Sequence, residues 1–354
     1  MATVPAKKLP PLVVILGPTA SGKTALSLML ADYFDLEIIS ADSRQVYRHM
    51  EIGTAKPTAE ERRRAPHHLI DVVSPDEEFT ALQFHKLGQA ALDGIRNRGR
   101  IPFLVGGTGF YIKVLTEGLL EAPSAHAELR DKLLRLEKDK GEGTLYRLLL
   151  QVDPALGERL FPRDLVRIVR GLEVFIQSGR PLSDFQKCHG FRGRTSRIRK
   201  LGVAVERQEL YRRIDLRVDR MLAAGLVDEV AQLLDKGYTR GLKAMQALGY
   251  RECLLHLEGK MTLAEVRETM KRETRRLAKR QMTWFNKDKS VVWLDSQKEF
   301  DKILPLIEKF LLFGADDTRS GDGQDPFQHS GSVPQSGSQG ADPCSCCHDV
   351  GRKA

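Results

Sequence analysis

The chain has 354 residues, of which 41% are hydrophobic and 29% are charged, a composition typical of a soluble globular protein with about two domains. No apolar run approaches the roughly 20 residues of a membrane span, and the stretch behind Lys7 and Lys8 is interrupted by prolines, so we expect neither membrane insertion nor a signal peptide. The net charge of +9 favours a polyanionic partner without identifying one.

Apolar, β-branched runs of strand length recur along the chain. They predict buried parallel strands at Leu12–Leu16, Glu37–Ser40, Ile101–Val105, Leu201–Val205 and Val291–Leu294. Helical periodicity predicts helices at Lys23–Tyr33, Ala81–Asn97, Gln208–Leu234 and Thr262–Phe285. Strands that alternate with helices indicate an α/β fold with a doubly wound parallel sheet, formed by residues 10–120 and 200–312.

The strand pattern is absent from residues 121–199. Amphipathic stretches at Leu129–Glu137, Leu145–Leu150 and Leu165–Ile176 predict an all-helical domain inserted into the sheet domain. From residue 313 onward the chain is rich in Gly, Ser, Asp, Gln and Pro, so burial cannot offset the entropy cost of ordering it. We expect residues 313–354 to form a disordered tail.

The cysteine and histidine pattern does not favour a disulfide framework or a zinc site. The odd number of cysteines indicates a reducing, cytoplasmic setting, and they stand at Cys188, Cys253, Cys344, Cys346 and Cys347. The last three, with His348, lack the C-x₂-C spacing of zinc sites. The adjacent His67 and His68 have no cysteine or carboxylate at a zinc spacing, which favours a structural role.

A phosphate-binding motif, the P-loop at residues 17–24, follows the first predicted strand and opens a helix. It fits the pattern G-x-x-x-x-G-K-[ST] and comprises Gly17, Pro18, Thr19, Ala20, Ser21, Gly22, Lys23 and Thr24. Its glycines let backbone N–H groups point into one concavity, Lys23 supplies a positive charge, and the Thr24 hydroxyl suits Mg²⁺. The motif predicts a bound diphosphate or triphosphate, of which ATP is the commonest, but does not choose between them.

Two polar residues follow other predicted strands. Asp42 stands just past the carboxyl end of the second strand, where ligands bind in open α/β sheets, and its carboxylate suits a general base. Thr108 lies in the glycine turn 106–109 after the third strand, where it suits an oxygen of a leaving group and the glycines suit close approach of a ligand. The alternative in each case is a cap on a turn or helix.

Two basic segments are candidate surfaces for a phosphate backbone. The first consists of Arg192, Arg194, Arg197, Arg199 and Lys200, and the second is the helix around Arg267–Lys289, where residues such as Lys271, Arg275 and Lys279 are predicted to face outward from an apolar stripe. The stripe comprises Leu263, Val266, Met270, Leu277 and Phe285. The alternative is an ordinary solvated, charged face.

Taken together, these motifs resemble the tRNA dimethylallyltransferase family, also called tRNA isopentenyltransferase or IPP transferase. The similar blocks are GPTASGKT at 17–24, ADSRQVYRHMEIGTAKP at 41–57, HHLIDV at 67–72, LVGGTGFYIKVLTEGL at 104–119, LVRIVRGLEVF at 165–175, RIDLRVDRMLAAGLVDEV at 213–230, QALGYRE at 246–252 and TRRLAKRQMTWF at 274–285. The resemblance spans about residues 10–312.

The resemblance implies a prenyl transfer. In the family the P-loop binds the diphosphate of dimethylallyl diphosphate, and the acceptor is the exocyclic amine of the adenosine on the 3′ side of the anticodon in tRNA. Asp42 is then the general base, Thr108 and Arg217 steady the departing diphosphate, and Lys23, Thr24 and Mg²⁺ take up its charge. We expect a cytoplasmic monomer that needs Mg²⁺ and no covalent intermediate.

The resemblance also implies contacts with the anticodon stem-loop. The implied tRNA-binding residues are Asp42, Ser43, Arg44, Gln45, Thr108, Arg130, Val166, Arg167, Ile168, Val169, Arg170, Lys279 and Arg280. Because a base in a loop must leave its stack to reach the sheet edge, the helical insertion is expected to clamp the tRNA. Arg163 stands where relatives often have a small polar residue, and the tail has no counterpart in the family.

Two functions from other classes stay open. A P-loop kinase of a small metabolite or nucleotide would use Asp42 as acceptor base and residues 192–200 as a lid. An RNA-binding module with an inactive P-loop would bind RNA without turnover, although the intact Asp42 and Thr24 argue against it.

Overall fold

The computed structural model describes residues 9–189 and 196–313. Residues 314–354 of the predicted tail, with its cysteine cluster, and the basic residues Arg192 and Arg194 lie outside the described residues, whereas Phe313, predicted as the first residue of the tail, is the last residue of a helix. None of the helices in the described ranges combines the length and the hydropathy that a bilayer span requires.

The described residues contain a parallel sheet of six strands in the order β3-β2-β4-β1-β5-β6. The strands are β1 (Pro11–Leu16), β2 (Leu36–Ala41), β3 (His67–His68), β4 (Ile101–Gly106), β5 (Arg197–Val203) and β6 (Val291–Leu294). All neighbouring strands pair in parallel, so the connections between them must cross from one end of the sheet to the other, and the neighbours β2 and β4, β4 and β1, and β1 and β5 are not consecutive in the chain. The predicted doubly wound α/β fold is confirmed.

Helices connect the strands and extend beyond them. In chain order they are α1 (Lys23–Ala31), α2 (Ala59–Arg64), α3 (Ala81–Asn97), α4 (Gly109–Glu117), α5 (Ala127–Lys140), α6 (Thr144–Val152), α7 (Pro154–Gly157), α8 (Leu165–Ser178), α9 (Leu182–His189), α10 (Arg207–Ala223), α11 (Leu226–Asp235), α12 (Tyr250–Leu257), α13 (Leu263–Phe285) and α14 (Phe300–Phe313).

The sheet is buried on both faces. Val13 and Ile15 of β1 belong to a core cluster with residues of α1 and α14, such as Leu30 and Ile307. The intervening Val14 of β1 is equally buried, so the opposite face is covered as well. A run of consecutive buried residues is therefore the correct sequence signature for these central strands.

The described residues form two compact units. One comprises residues 9–118 and 196–313 and contains the sheet, and the other comprises residues 119–189 and contains α5–α9. The second unit has its own apolar core, which includes Leu145, Leu149 and Ile168. It overlaps the helical insertion predicted at 121–199.

Several predicted boundaries were wrong. The helix predicted at Gln208–Leu234 is two helices, because Gly225 takes the left-handed conformation at φ +92° and ends the first before α11 begins. The strand predicted to begin at Leu201 begins at Arg197 and includes basic residues. The edge strand β3, which has two residues, and α12 were not predicted.

Glu37 of β2 is a buried carboxylate held by the side chains of two arginines and a histidine. Arg98 donates to both of its oxygens at 2.8 and 2.7 Å, Arg100 donates at 3.2 Å, and His68 lies at 2.6 Å. The hydrogen bonds from Arg98 are the main cause that lowers the pKa of Glu37 to about 2, against the opposing effect of burial. His68 thus has a structural partner, and His67 contacts the carbonyl of Ala65.

We expect Glu37→Gln to lower the free energy of unfolding by about 2 kcal/mol at pH 7, since it weakens charge-assisted hydrogen bonds. The pKa of Glu37 is lower in the folded protein than in the unfolded chain, so the ionised carboxylate stabilises the fold at pH values above the ordinary glutamate pKa. This contribution to the free energy of unfolding is lost as the pH falls toward 2. Urea unfolding at pH 7 and pH 4, followed by circular dichroism, should therefore show a smaller difference at the lower pH. Glu78→Gln, at an exposed glutamate away from these arginines, is the control, and a difference that did not depend on pH would contradict the assignment.

Candidate active site

The strand register places three chemically distinctive turns at one edge of the sheet. Leu16 of β1 and Ala41 of β2 both pair with Gly106 of β4, so these three strands end at the same level. The residues that follow them, Gly17 and Asp42 among them, therefore share the carboxyl edge. A Cβ on Gly106 would lie 2.2 Å from the carbonyl oxygen of Ala41, which explains glycine there.

The P-loop backbone has the curvature of a phosphate cradle. Ala20 and Gly22 take positive φ angles of +63° and +98°, and Gly22 is the N-cap of α1. The ammonium of Lys23 donates to the carbonyl of Pro18 at 2.7 Å. The hydroxyl of Ser21 is buried and has no hydrogen-bond partner among the described residues. A concavity with an unpartnered donor and a cation fits a polyphosphate.

Charges from other elements act on Lys23. Burial is the largest cause that lowers its pKa to about 8, the positive charge of Arg217 on α10 lowers it further, and the carboxylate of Asp42 opposes both. Burial likewise lowers the pKa of Arg217, with Asp42 again opposing. The charges of Lys23, Arg217 and Asp42 therefore influence one another. An anion bound beside them would reduce the repulsion between the two cations.

Asp42 combines the two roles that the sequence left open. Its Oδ1 accepts from the backbone N–H groups of Arg44 at 2.8 Å and Gln45 at 3.4 Å, so it caps a turn. No described residue donates a hydrogen bond to Oδ2. One oxygen thus fixes the carboxylate, while the other is available to a substrate.

Thr108 is the N-cap residue of α4, but its side chain makes no capping hydrogen bond to that helix. Its Oγ1 instead accepts from the backbone N–H of Ser43 at 3.1 Å, and its own N–H donates to the carbonyl of Ala41 at 3.0 Å. These bonds tie the glycine turn to the segment that carries Asp42.

A cavity of about 370 Å³ opens at this edge of the sheet. Its polar lining includes these predicted residues: Thr19, Asp42, Ser43, Arg44, Thr108, Arg217 and Arg280. Its apolar lining consists of Val218, Met221, Leu248, Met270 and Leu277. The structure thus brings the predicted base, the predicted diphosphate partners and part of the P-loop around one space.

Other predicted residues do not line this cavity. Lys23, Thr24, Gln45 and Lys279 are not in its lining. The amide of Gln45 instead accepts from the Ser40 hydroxyl at 2.9 Å and donates to the Ala55 carbonyl at 3.2 Å, so it supports the loop rather than facing the space.

The sequence did not single out two side chains that shape this site. Glu229 of α11 accepts from the backbone N–H groups of Glu51 at 2.9 Å and Ile52 at 2.7 Å, and from the Tyr250 hydroxyl. It thereby anchors the turn that brings Gly53 and Thr54 into the cavity lining. Gln281 of α13 joins the P-loop to the glycine turn, with Oε1 2.8 Å from the backbone nitrogen of Thr19.

The glycine turn leaves room for two side chains of α13, in addition to the room it leaves for a ligand. A Cβ on Gly107 would lie 2.5 Å from the amide nitrogen of Gln281, and one on Gly109 would lie 2.3 Å from the ring of Trp284. These two glycines therefore admit side chains of the protein itself, which the sequence interpretation did not anticipate.

The first basic segment is not a free surface where the structure describes it. Lys200 donates to Asp288 at 2.6 Å and is 9% exposed, and Arg197 donates to the carbonyl of Phe310 at 3.1 Å. Arg197 and Arg199 also stack over the Phe310 ring. The prediction that these residues face a phosphate backbone or form a kinase lid was wrong, because they lie in or beside the sheet.

On α13, most basic side chains have acidic partners. Lys271 pairs with Asp219 at 3.0 Å and Arg275 binds Asp215 through two nitrogens, so these two residues, predicted to face outward, are engaged by acidic residues of α10. Lys279 and Arg280 are exposed and form no ion pair with any described residue. The apolar stripe is completed by Thr274 and Ala278, whereas Leu263 is 41% exposed.

The residues implied as tRNA contacts in the second unit differ in exposure. Arg130 and Arg170 bind the buried carboxylate of Glu173 at 2.8 and 2.6 Å. Ile168 and Val169 are buried in the unit's core, so their side chains do not face solvent, which corrects the implied contact. Val166 is 83% exposed and the side chain of Arg167 is 66% exposed.

The donor set at the P-loop fits Mg²⁺ shared with a substrate. Thr24 places a hydroxyl in the first turn of α1, and Asp42 supplies the nearby carboxylate charge. No cluster of three or more His, Cys, Asp or Glu side chains in the described ranges could hold a metal alone. Mg²⁺ commonly takes few protein ligands and completes its shell with phosphate oxygens and water, so these residues suit it.

Comparisons with known proteins agree with this geometry. A family model described as IPP transferase matches residues 45–288, and one described as isopentenyl transferase matches residues 10–73. The chain is 55% identical over 304 residues to tRNA dimethylallyltransferase 1 of Syntrophotalea carbinolica, covering 86% of this chain and 97% of the relative. It is 50% identical over 299 residues to tRNA dimethylallyltransferase of Geobacter metallireducens, covering 84% and 97%.

Solved structures are similar over the same length. The full-length tRNA isopentenylpyrophosphate transferase of Bacillus halodurans has 40% identity and a TM-score of 0.63, and the match covers 85% of this chain and 95% of that one. A eukaryotic dimethylallyltransferase that acts on tRNA has 27% identity and a TM-score of 0.74, with 85% and 79% covered. The chain therefore belongs to the tRNA dimethylallyltransferase, or IPP transferase, family.

Proposed function

We propose that this chain transfers a dimethylallyl group from dimethylallyl diphosphate to the exocyclic amine of the adenosine on the 3′ side of the anticodon in tRNA. The observation that carries the proposal is the convergence of Thr19, Asp42, Thr108 and Arg217 on one cavity. We further propose that it works as a cytoplasmic monomer with Mg²⁺ as cofactor.

The P-loop and Arg217 receive the diphosphate. Negative charge grows on the diphosphate as the bond between carbon and oxygen breaks, and Lys23 and Arg217 supply the positive charge that stabilises it. Thr24 would hold Mg²⁺, which when bound would supply Lewis-acid stabilisation of the same charge. The apolar side chains of the cavity, such as Val218 and Leu248, suit the allylic chain.

Asp42 receives the proton. As the adenine nitrogen bonds to the allylic carbon, the amine becomes acidic and its proton passes to Oδ2 of Asp42, which accepts no hydrogen bond from the described residues. The hydrogen bonds of Oδ1 hold the carboxylate in place. An allylic carbon tolerates developing positive charge, so positioning and leaving-group stabilisation are sufficient without a covalent intermediate.

The tRNA contacts proposed for the second unit narrow to the exposed residues Val166 and Arg167. Arg130 and Arg170 are proposed to support that surface through Glu173. In the sheet unit, Ser43 and Arg44 line the cavity, and Lys279 and Arg280 carry positive charge that no described residue neutralises, which suits the phosphates of a stem-loop.

The test is a single incubation with dimethylallyl diphosphate, Mg²⁺ and anticodon stem-loop RNA, followed by mass analysis of the released nucleosides. We expect one adenosine to gain the dimethylallyl mass, with an equal amount of pyrophosphate released. A parallel reaction with ATP and no RNA is the control for a P-loop kinase. ATP consumption there, or RNA binding without transfer, would contradict the proposal.

We expect the affinity for tRNA to fall as the salt concentration rises. The slope of the logarithm of the association constant against the logarithm of the salt concentration should become shallower by about one for each phosphate contact removed. Lys279→Ala and Arg280→Ala should each show this change, because neither cation is neutralised within the described residues. Arg276→Ala is the matched control on the same helix, since Glu273 pairs with Arg276 at 2.7 Å. Equal slopes in all variants would mean that these cations do not contact phosphates.

A further inference from the structure

Glu229 of α11 is a buried carboxylate that holds one turn of the chain by its backbone. Its Oε2 accepts from the N–H groups of Glu51 at 2.9 Å and Ile52 at 2.7 Å, and its Oε1 accepts from the N–H of Gly53 at 3.3 Å. The hydroxyl of Tyr250 on α12 donates to the same Oε1 at 2.5 Å. Hydrogen bonds to an ionised acceptor are the strong ones, so the carboxylate fixes this turn in place.

The turn is held on its other sides as well. The ring of Tyr250 packs so closely against Gly53 that a Cβ there would lie 2.4 Å from a ring carbon. Burial, followed by the charge of Glu229, raises the pKa of Tyr250, so its hydroxyl stays protonated and donates. Ala55 takes a positive φ of +45°, and Nε2 of Gln45 donates to its carbonyl at 3.2 Å. Such a conformation persists where the surroundings impose it, so the turn has one fixed shape.

The turn lies on the side of the cavity away from the P-loop. Strand β4 lies between β1 and β2, so the P-loop after β1 and the segment after β2 are separated by two strand spacings, about 10 Å. Gln45 ties the turn to the segment after β2, and Gly53 and Thr54 line the cavity together with Asp42. When a diphosphate occupies the P-loop, the space beside this turn remains for the acceptor.

We propose that Glu229 is a positioning residue that, through the turn 51–54, shapes the part of the cavity that receives the acceptor base of the RNA. The proposal rests on the proposed function, in which the adenosine enters beside Asp42. Glu229 is not in the cavity lining, so it acts through the turn and not by touching the base. A base that leaves its stack needs a pocket to hold it, and a wall that is ordered beforehand lowers the entropy cost of binding.

Glu229→Gln tests this role with a side chain of the same size. In either orientation of the amide, its NH₂ group faces at least one of the three backbone N–H groups, and two donors cannot bond to each other. The substitution also removes a negative charge, which by itself would strengthen the binding of polyanionic RNA. A weaker hold on the base therefore reports the position of the turn and not the change of charge.

A second variant and a control accompany this substitution. Gly53→Ala displaces the same turn without altering Glu229, because the added methyl group meets the ring of Tyr250. Asp228→Asn is the matched control, since Asp228 is exposed in the same first turn of α11 and its loss removes the same charge. Thermal unfolding of each variant establishes that it is folded.

The experiment compares two anticodon stem-loop RNAs by fluorescence anisotropy, one with the adenosine on the 3′ side of the anticodon and one with an abasic site there. Contacts with the phosphate backbone are the same in both RNAs, so the ratio of their affinities reports the hold on the base. Isothermal titration calorimetry with pyrophosphate and Mg²⁺ measures the P-loop side of the cavity separately.

We expect the parent to bind the adenosine RNA at least about 10-fold more tightly than the abasic RNA, and Glu229→Gln and Gly53→Ala to reduce this ratio to about 3-fold or less. Both variants should bind pyrophosphate within about 3-fold of the parent, and Asp228→Asn should keep the parental ratio. A parental ratio in a folded variant, or an equal loss of pyrophosphate affinity, would overturn the role of Glu229. A parent that bound the two RNAs equally would instead contradict the proposed function, and the proposal would fall with it.

Discussion

Replacing Asp42 with alanine is expected to lower kcat for prenyl transfer by about 10²- to 10⁴-fold, the usual contribution of a general base. Asp42 lines the cavity together with Thr108 and Arg217, and its Oδ2 has no partner among the described residues. Single-turnover measurements with saturating prenyl diphosphate and stem-loop RNA give the rate of the chemical step. Binding of both substrates should stay within about 3-fold of the parent, because the effect belongs to the transition state.

Asp42→Asn separates proton transfer from orientation. An asparagine keeps a carbonyl oxygen that can accept from the backbone N–H groups of Arg44 and Gln45, so the turn is preserved. With that oxygen so engaged, its NH₂ group replaces Oδ2 and would face the adenine amine, where it cannot accept a proton. We therefore expect the asparagine variant to be nearly as slow as the alanine variant. A kcat close to that of the parent would sink the general-base assignment.

The sequence predicted the sheet and its active edge because both follow from local patterns. Continuous apolar runs identify strands buried on both faces, and parallel strands bring their carboxyl ends together. Gly17, Asp42 and Thr108 each stand within two residues after such a strand, so their convergence follows from topology alone. The edge strand β3 has two residues, too few for any periodicity to be recognised.

Partners that are distant in the chain could not be predicted from such patterns. Gln281 and Thr19 are separated by 262 positions, and Gln281 has no local signal that marks it as a P-loop contact. Glu229 looks like an ordinary helix residue, yet three backbone N–H groups of another segment converge on it. Arg217 was found only through the family resemblance, since an arginine on an amphipathic helix is otherwise unremarkable.

Charge patterns were the least reliable guide. A run of basic residues specifies neither exposure nor pairing, and Arg197 and Lys200 proved to lie in a strand with partners of their own. On α13 the acidic residues of α10 neutralise Lys271 and Arg275. The structure leaves Lys279 and Arg280 as the better candidates for tRNA contact, because pairing within the protein removes the others.

Lys23→Ala is expected to lower kcat by about 10²- to 10³-fold and to raise KM for the prenyl diphosphate, because one fixed charge is lost where the leaving group becomes more negative. Thr24→Ala should likewise lower kcat and raise KM, because it would weaken the binding of Mg²⁺. Lys298→Ala, at an exposed lysine that pairs with Asp295 alone among the described residues, is the control and should leave both constants unchanged.

The pH profile gives the same lysine a second, independent test. Burial and the charge of Arg217 lower the pKa of Lys23 to about 8, so Lys23 is charged below that pH and loses its proton as the pH rises through it. We expect kcat/KM for the prenyl diphosphate to fall above about pH 8, since this constant reports ionisation in the free enzyme. The bound diphosphate favours the charged lysine, so the fall in kcat should occur at higher pH. Lys23→Arg stays charged throughout and should lose the alkaline fall; a fall that persisted unchanged in this variant would assign the ionisation to another group.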